Sequence, residues 1–183
     1  MRVSKEKAAQ NKEAILEAAS RLYREKGIDG IGISELAKSV GLTHGGFYRQ
    51  FPGGKEQLAS EAVARTFAAN IEDWRNAKSV ADLVKRYLSK AHIDDWTEGC
   101  PVPALAADVG RTRGSVSESF TEGVEILIDT LDKLTDGETD AHRRDEALQL
   151  LASIAGATLI ARAVNKPDLA NQIVKSVINQ WAS

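Results

Sequence analysis

The stretch that decides the fold is ISELAKSVGLTHGGFYRQF, which runs from Ile33 to Phe51. Its first half carries four apolar residues at helical spacing, which are Ile33, Leu36, Ala37 and Val40. Gly41 can then supply the positive φ of a tight turn, and Thr43 can cap a second short helix that ends near Phe51. Two short helices joined by a tight glycine turn predict a helix-turn-helix.

The second of these helices begins with two adjacent glycines, Gly45 and Gly46. Each glycine inside a helix costs about 1 kcal/mol relative to alanine. A recognition helix points its first turn at DNA, where free backbone N–H groups bind phosphate, and glycines leave no side chain between helix and DNA. The pattern also predicts that Phe47 anchors the helix in the core, while the Tyr48 hydroxyl reaches a phosphate.

The rest of the chain shows helical periodicity and no strand-like alternation. Seven further helices are predicted at about Lys7–Lys26, Lys55–Asn76, 79–95, 104–110, 115–134, 141–164 and 168–181. Ser79 and Ser115 each begin a pattern typical of a capping box, and Pro167 suits the first turn of the last helix. The sequence therefore predicts an all-α fold of about nine helices.

Charge divides the chain at about the point where composition changes, near residue 52. Residues 1–55 have a net charge of +4, whereas residues 56–183 have a net charge of −6. A basic head on an acidic body suits the binding of a polyanion, although a solvated surface often carries an excess of this size. We expect a helix-turn-helix domain over residues 1–52, with a contribution from the helix that starts at Lys55, and a helical domain over residues 53–183.

A resemblance to the TetR family of bacterial repressors lies in AILEAASRLYREKGIDGIGISELAKSVGLTHGGFYRQFPGGKEQL. It covers about residues 11–60 and rests on three motifs, which are Ala19 to Gly27, Leu36 to Thr43 and Phe47 to Phe51. FPGGKEQL and the later GCPVPALAADV also resemble the subset related to the repressors LmrA and YxaF.

The resemblance implies an all-α homodimer whose small head domains bind a palindromic double-stranded DNA operator. It also implies that the larger C-terminal domain binds a small-molecule effector, which releases the DNA, and that the last two helices form the dimer interface. Two positions depart from the family pattern. Gly32 stands where the family has a capping Thr or Ser, so Ser34 has to take the phosphate role. Gln50 replaces a His or Tyr and can read adenine, bind phosphate or do neither.

The candidate DNA-binding residues lie on the helix-turn-helix and at the start of the fourth helix. Lys55 contacts phosphate by resemblance, and Arg49 and His44 are base or phosphate candidates, whereas a solvated surface role is the alternative for each. The full set is Ser34, Thr43, His44, Gly45, Gly46, Tyr48, Arg49, Gln50 and Lys55.

Two apolar sets in the larger domain are candidates for a ligand pocket and a dimer interface, and ordinary core packing is the alternative for both. A drug-sized apolar or aromatic ligand would act by shifting the fourth helix. The pocket candidates are Phe67, Ile71, Trp74, Trp96, Cys100, Leu105 and Phe120. The interface candidates are Leu148, Leu151, Ala152, Ala155, Gly156, Leu159, Ile173, Val174, Val177 and Trp181.

Several classes of protein are disfavoured. Cys100 is the single cysteine, so an intrachain disulfide is excluded; it is a core filler or a redox sensor. The sequence shows no metal-ligand spacing, catalytic constellation or nucleotide loop, so we expect no metal, no cofactor and no enzyme. No apolar run reaches about 20 residues, which predicts a cytoplasmic protein without a membrane partner. The favoured function is a repressor that a ligand releases from DNA. The alternatives are an activator or a ligand-independent regulator and, more distantly, an all-α enzyme or an interaction module.

Overall fold

This computed structural model describes residues 5–182. Within these residues the chain forms ten α-helices and no strand. The all-α prediction is confirmed. The helices are α1 (Lys5–Lys26), α2 (Ile33–Ser39), α3 (His44–Gln50), α4 (Gly54–Arg75), α5 (Val80–Tyr87), α6 (Lys90–Asp94), α7 (Pro101–Val109), α8 (Ser115–Asp132), α9 (Asp140–Ala163) and α10 (Pro167–Trp181).

The helix count exceeds the expected nine because the helix predicted over residues 79–95 is two helices, α5 and α6. The Ser79 hydroxyl caps α5 as predicted, accepting a hydrogen bond from the Asp82 N–H at 3.2 Å. Ser89 then adopts an extended conformation, and its hydroxyl accepts from the His92 N–H. A second N-cap inside the segment therefore starts a new helix.

The prediction that Ser115 caps the eighth helix is wrong. The N-cap is Gly114, which has a φ of +81°, a conformation that glycine adopts readily. The Ser115 hydroxyl instead donates a hydrogen bond to Oε1 of Glu56, at 3.0 Å. This side chain therefore ties the start of α8 to the start of α4.

The head, which we define as α1 to α3, is a three-helix unit with an aromatic core. Gly41 has a φ of +72°, as the turn between α2 and α3 requires, and the Leu42 N–H donates to the Ala37 carbonyl at 2.8 Å. Phe47 and Phe51 are fully buried and stack with their ring centroids 5.4 Å apart. The predicted helix-turn-helix is present.

The body, which we define as α4 to α10, is built around α4, which packs most extensively on α8. The two helices approach closely at Gly123, where a Cβ atom would lie 2.2 Å from Cγ of Phe67. Helix α9 packs between α8 and α10. The long α4 therefore leads from the head into the centre of the body.

Helix α9 is, within residues 5–182, the one helix long and apolar enough to cross a membrane by length and composition. Leu150, Ile154 and Ala157 on this helix are buried inside the fold. A core helix of a soluble protein has the same length and composition, so the feature is weak evidence for a membrane span. The apolar composition of α9 also gives this helix an apolar outer face, because Leu148 and Leu159 are exposed.

Candidate DNA-binding surface

Thr43 holds the start of α3 in place. Its backbone is extended, and its hydroxyl accepts a hydrogen bond from the Gly46 N–H at 3.1 Å. The predicted N-cap is therefore confirmed. The same side chain is exposed, so it lies at the surface where α3 begins, and its contact with DNA stays a prediction.

We expect Thr43→Ala to lower the free energy of unfolding by about 1 kcal/mol, because an N-cap hydroxyl contributes about that much to a helix. Thr43→Ser keeps the hydroxyl and should stay close to the parent protein. Urea unfolding followed by circular dichroism measures both variants. An equal loss in Thr43→Ser would show that the threonine methyl group, rather than the cap, matters.

Helix α3 has one buried face and one exposed face. Phe47 is fully buried, whereas the adjacent Tyr48 is 42% exposed. The His44 ring lies against the Tyr48 ring, with centroids 5.1 Å apart. The orientations of Phe47 and Tyr48 are those predicted, and they leave the Tyr48 hydroxyl available on the outer face.

The two glycines of α3 face different surroundings. A Cβ atom on Gly45 would meet nothing within 4 Å, whereas one on Gly46 would lie 3.3 Å from the Thr43 hydroxyl oxygen. Gly45 is therefore the glycine that leaves the outer surface of the helix bare. Gly46 makes room for the N-cap, so local packing already explains part of its presence.

The remaining candidates surround this face. Ser34, His44 and Arg49 are exposed, and Gln50 is half-buried. Gly32 is the N-cap of α2 without a side-chain hydrogen bond, as the sequence predicted. Ser34 therefore lies in the first turn of a helix whose N-terminal N–H groups have no capping side chain.

Lys55 completes the surface and has a partner that the sequence did not predict. Its Nζ donates to Oδ1 of Asp29 at 2.9 Å, and this hydrogen bond lowers the pKa of the Asp29 carboxyl. Asp29 belongs to the loop after α1, 26 positions away, and no periodicity connects the two residues. Gly54, which precedes Lys55, has a φ of +69°, and the Tyr48 ring would lie 3.6 Å from a Cβ on this glycine.

The predicted pocket residues occupy several different places in the body. Phe67 and Phe120 meet edge to face at 5.3 Å, and Ile71, Cys100 and Leu105 are buried. Trp96 is exposed, and the Arg162 guanidinium lies over its ring at 5.0 Å. Trp74 lines a cavity of about 210 Å³ between α4, α5 and α6. Their role in ligand binding stays a prediction.

The predicted interface residues divide into an outer and an inner set. Leu148, Ala152 and Leu159 are exposed on α9, and a Cβ on Gly156 would meet nothing within 4 Å. Leu151 and Ala155 are buried within the chain. The α10 candidates are half-buried, and they are Ile173, Val174, Val177 and Trp181. The exposed Ile160 and Leu169 were not predicted.

Comparison with known sequences places the helix-turn-helix in a described family. The sequence model for bacterial regulatory proteins of the tetR family matches residues 15–62. The HTH-type transcriptional regulator LmrA of Bacillus subtilis (strain 168) is 28% identical over 163 residues, covering 82% of this chain and 86% of that protein. YxaF of the same organism, an uncharacterised HTH-type transcriptional regulator, is 31% identical over 108 residues, covering 54% and 56%.

Solved structures share the fold over almost the whole chain. The reduced form of NemR from E. coli has a TM-score of 0.76 at 20% identity, covering 93% of this chain and 96% of that one. A TetR transcriptional regulator from Chloroflexus aurantiacus has a TM-score of 0.76 at 23% identity, covering 95% of each chain. The match therefore extends beyond the head into the helices of the body.

Proposed function

We propose that this chain, which belongs to the TetR family of DNA-binding transcriptional regulators, is a homodimeric repressor that a small apolar or aromatic ligand releases from a palindromic operator. The observation that carries the proposal is the outer face of α3. This face has Gly45, where a Cβ would meet no atom within 4 Å, the exposed Tyr48 and a capped N-terminus, and the buried Phe47 holds the helix in place. Such a helix can enter a major groove and bind the flanking phosphates.

The roles within this surface follow from exposure and chemistry. The Tyr48 hydroxyl and Lys55 are suited to phosphate, and Arg49 and Gln50 can bind base edges. His44, Thr43 and Ser34 lie at helix N-termini, where a hydroxyl or ring N–H can bind a phosphate. A protein with these roles acts on DNA in the cytoplasm.

A homodimer is supported by the outer apolar face of α9. Leu148, Leu159 and Ile160 are exposed on this helix in a single chain, and α10, which packs on α9, contains no buried residue. Exposed apolar faces of this kind mark protein–protein contacts. A second copy that covers α9 and α10 would pair two heads, which is the arrangement that a palindromic operator needs.

The proposed phosphate contact of Lys55 can be tested through salt dependence. Each phosphate contact contributes about 0.9 to the slope of log K against log salt, so Lys55→Ala should reduce the slope of a two-headed dimer by about 1.8. Lys133→Ala, at an exposed position in the body, is the matched control and should leave the slope unchanged.

A substitution of Asp29, the ion-pair partner of Lys55, should change operator affinity in the opposite direction. Asp29→Asn removes the negative charge that pairs with Lys55 in the free protein, so operator affinity should stay equal or rise. Affinity and slope are measured by fluorescence anisotropy on DNA from upstream of the chain's own gene. A slope that Lys55→Ala leaves unchanged would remove this lysine from the DNA-binding surface.

The direction of regulation is tested by a reporter gene behind the same upstream DNA. A repressor predicts that reporter expression rises when the regulator is absent. An activator, which is the alternative within the family, predicts that expression falls. Screening apolar and aromatic compounds in the anisotropy assay then separates a ligand-responsive regulator from a ligand-independent one.

A further inference from the structure

A basic loop joins α7 to α8 in a body that is otherwise acidic. Residues 56–183 have a net charge of −6, yet residues 109–117 contain Arg111 and Arg113 and no Asp or Glu. Both arginine side chains are exposed. We call residues 110–114 the basic loop. Because DNA is a polyanion, a local positive charge on an acidic body matters where it lies close to the DNA-binding surface.

The start of the basic loop is attached to the segment that follows α1. Oδ2 of Asp108, near the end of α7, accepts a hydrogen bond from the Ile28 N–H at 3.0 Å. The residue after Ile28 is Asp29, whose Oδ1 lies 2.9 Å from Nζ of Lys55. The end of α7 therefore lies against the same short segment that pairs with Lys55.

The end of the basic loop is attached to the start of α4. The Ser115 hydroxyl donates a hydrogen bond to Oε1 of Glu56 at 3.0 Å, and the Ser115 N–H donates to the same oxygen at 3.4 Å. Gly114 permits this approach, since its φ is +81° and a Cβ there would lie 2.8 Å from that oxygen. Glu56 directly follows Lys55 in the chain. Both ends of the basic loop are therefore fixed to residues that neighbour Lys55.

The two arginines of the basic loop differ in their partners. Nη1 of Arg111 donates to the Ala107 carbonyl at 3.0 Å and lies 3.6 Å from Oδ1 of Asp108. Arg113 has no hydrogen bond and no ion pair within residues 5–182. The carboxylate of Glu56 accepts from Ser115 and does not pair with Arg113. Arg113 is therefore the cation of this loop that is available to an anion outside the described chain.

Phosphate is the anion that this position favours. Arg113 lies two residues before Ser115, so the two Cα atoms are at most about 7.6 Å apart. Double-stranded DNA carries one phosphate for about every 1.7 Å of its axis, so DNA held at Lys55 has further phosphates close by. A guanidinium can bind a phosphate through two parallel hydrogen bonds.

We propose that Arg113 binds a DNA backbone phosphate close to the one that Lys55 binds, so that the body contacts DNA together with the head. This inference rests on the proposed function for the docking of α3 on DNA. Arg113 is not among the DNA-binding residues expected from the sequence, which all lie on the helix-turn-helix and at the start of α4. The contact adds affinity without adding sequence recognition, because phosphates are the same in every sequence.

The contact is tested through the salt dependence of binding to two duplexes. One is the DNA upstream of the chain's own gene, and the other is an unrelated sequence of about 40 bp, which is long enough for two half-sites. Arg113→Ala should reduce the slope of log K against log salt by about 0.9 for each head, on every duplex that the parent binds. Arg113→Lys keeps the charge and should keep most of the slope. Fluorescence anisotropy measures all the variants.

Arg111→Ala is the matched control within the same loop. It removes an equal charge, but its guanidinium already has partners in the chain, so the slope should change far less. An unchanged slope in Arg113→Ala, or equal losses in the two alanine variants, would overturn the assigned contact. If Lys55→Ala lowers the slope and Arg113→Ala does not, the proposed function stands without this inference. A parent that binds neither duplex would overturn both.

Proximity is tested by cleaving DNA from position 113. Cys100 is the single cysteine of the chain and is fully buried, so an iron–EDTA reagent can label Arg113→Cys selectively. Hydroxyl radicals from this label should cut the DNA backbone at a few adjacent nucleotides. Lys133→Cys is the control, because Lys133 is exposed and lies about 27 Å from Ser115 along α8. Bound protein that gives no cleavage from position 113, or equal cleavage from both positions, would overturn the inference.

Discussion

The double substitution Leu148→Glu and Leu159→Glu should convert the protein to a monomer and lower operator affinity by about 10³-fold or more. Both leucines are exposed on the outer face of α9, so the charges cost little in a monomer but oppose each other across a two-fold interface. The size of the effect follows from the difference between specific binding and the weaker binding of DNA without sequence recognition. Sedimentation velocity and anisotropy measure the two results.

Ile126→Glu is the matched control for this prediction. Ile126 is also an exposed large apolar residue, but it lies on α8 and outside the α9 face. It should leave both the dimer and operator affinity unchanged. A double variant that stays dimeric, or a monomeric one that binds operator like the parent, would contradict the interface.

Gly45→Leu should change stability and DNA binding in opposite directions. Leucine has a higher helix propensity than glycine, so the free energy of unfolding should rise by up to about 1 kcal/mol, and no neighbour lies within 4 Å of the new Cβ. The side chain would separate the helix from the groove. A tenfold loss for each head gives about a hundredfold loss for a dimer, since each factor of ten corresponds to about 1.4 kcal/mol.

Gly46→Leu is the comparison variant, which distinguishes an effect on packing inside the protein from an effect on the approach of α3 to DNA. Its Cβ would lie 3.3 Å from the Thr43 hydroxyl oxygen, so this variant should lose stability as well as affinity. Thermal unfolding and anisotropy on both variants give the comparison. Unchanged operator affinity in Gly45→Leu would mean that the outer face of α3 does not approach DNA.

Local signals made the helix-turn-helix predictable from the sequence. The turn at Gly41, the cap at Thr43 and the burial of Phe47 each depend on residues within one or two helical turns. Such features follow from backbone conformation and periodicity, which a sequence displays directly. The break at Ser89 was missed because a lone capping serine inside an apolar periodic segment carries little signal.

Contacts between distant residues could not be predicted in this way. Asp29 pairs with Lys55, and Arg24 bonds to Gly99 across 75 positions. Tyr87 and His92 belong to separate short helices, and their rings lie 4.5 Å apart across the break between those helices. The predicted pocket set relied on apolar residues, so it included Trp74 but omitted the polar walls of the same cavity.

The central claim is that two copies of α3 bind the two halves of one palindromic operator. Hydroxyl-radical footprinting of the DNA upstream of the chain's own gene tests it most directly. The account predicts two protected blocks related by a dyad, with centres about 34–36 Å apart or at a multiple of that spacing. A single protected block, or uniform protection along the fragment, would contradict it.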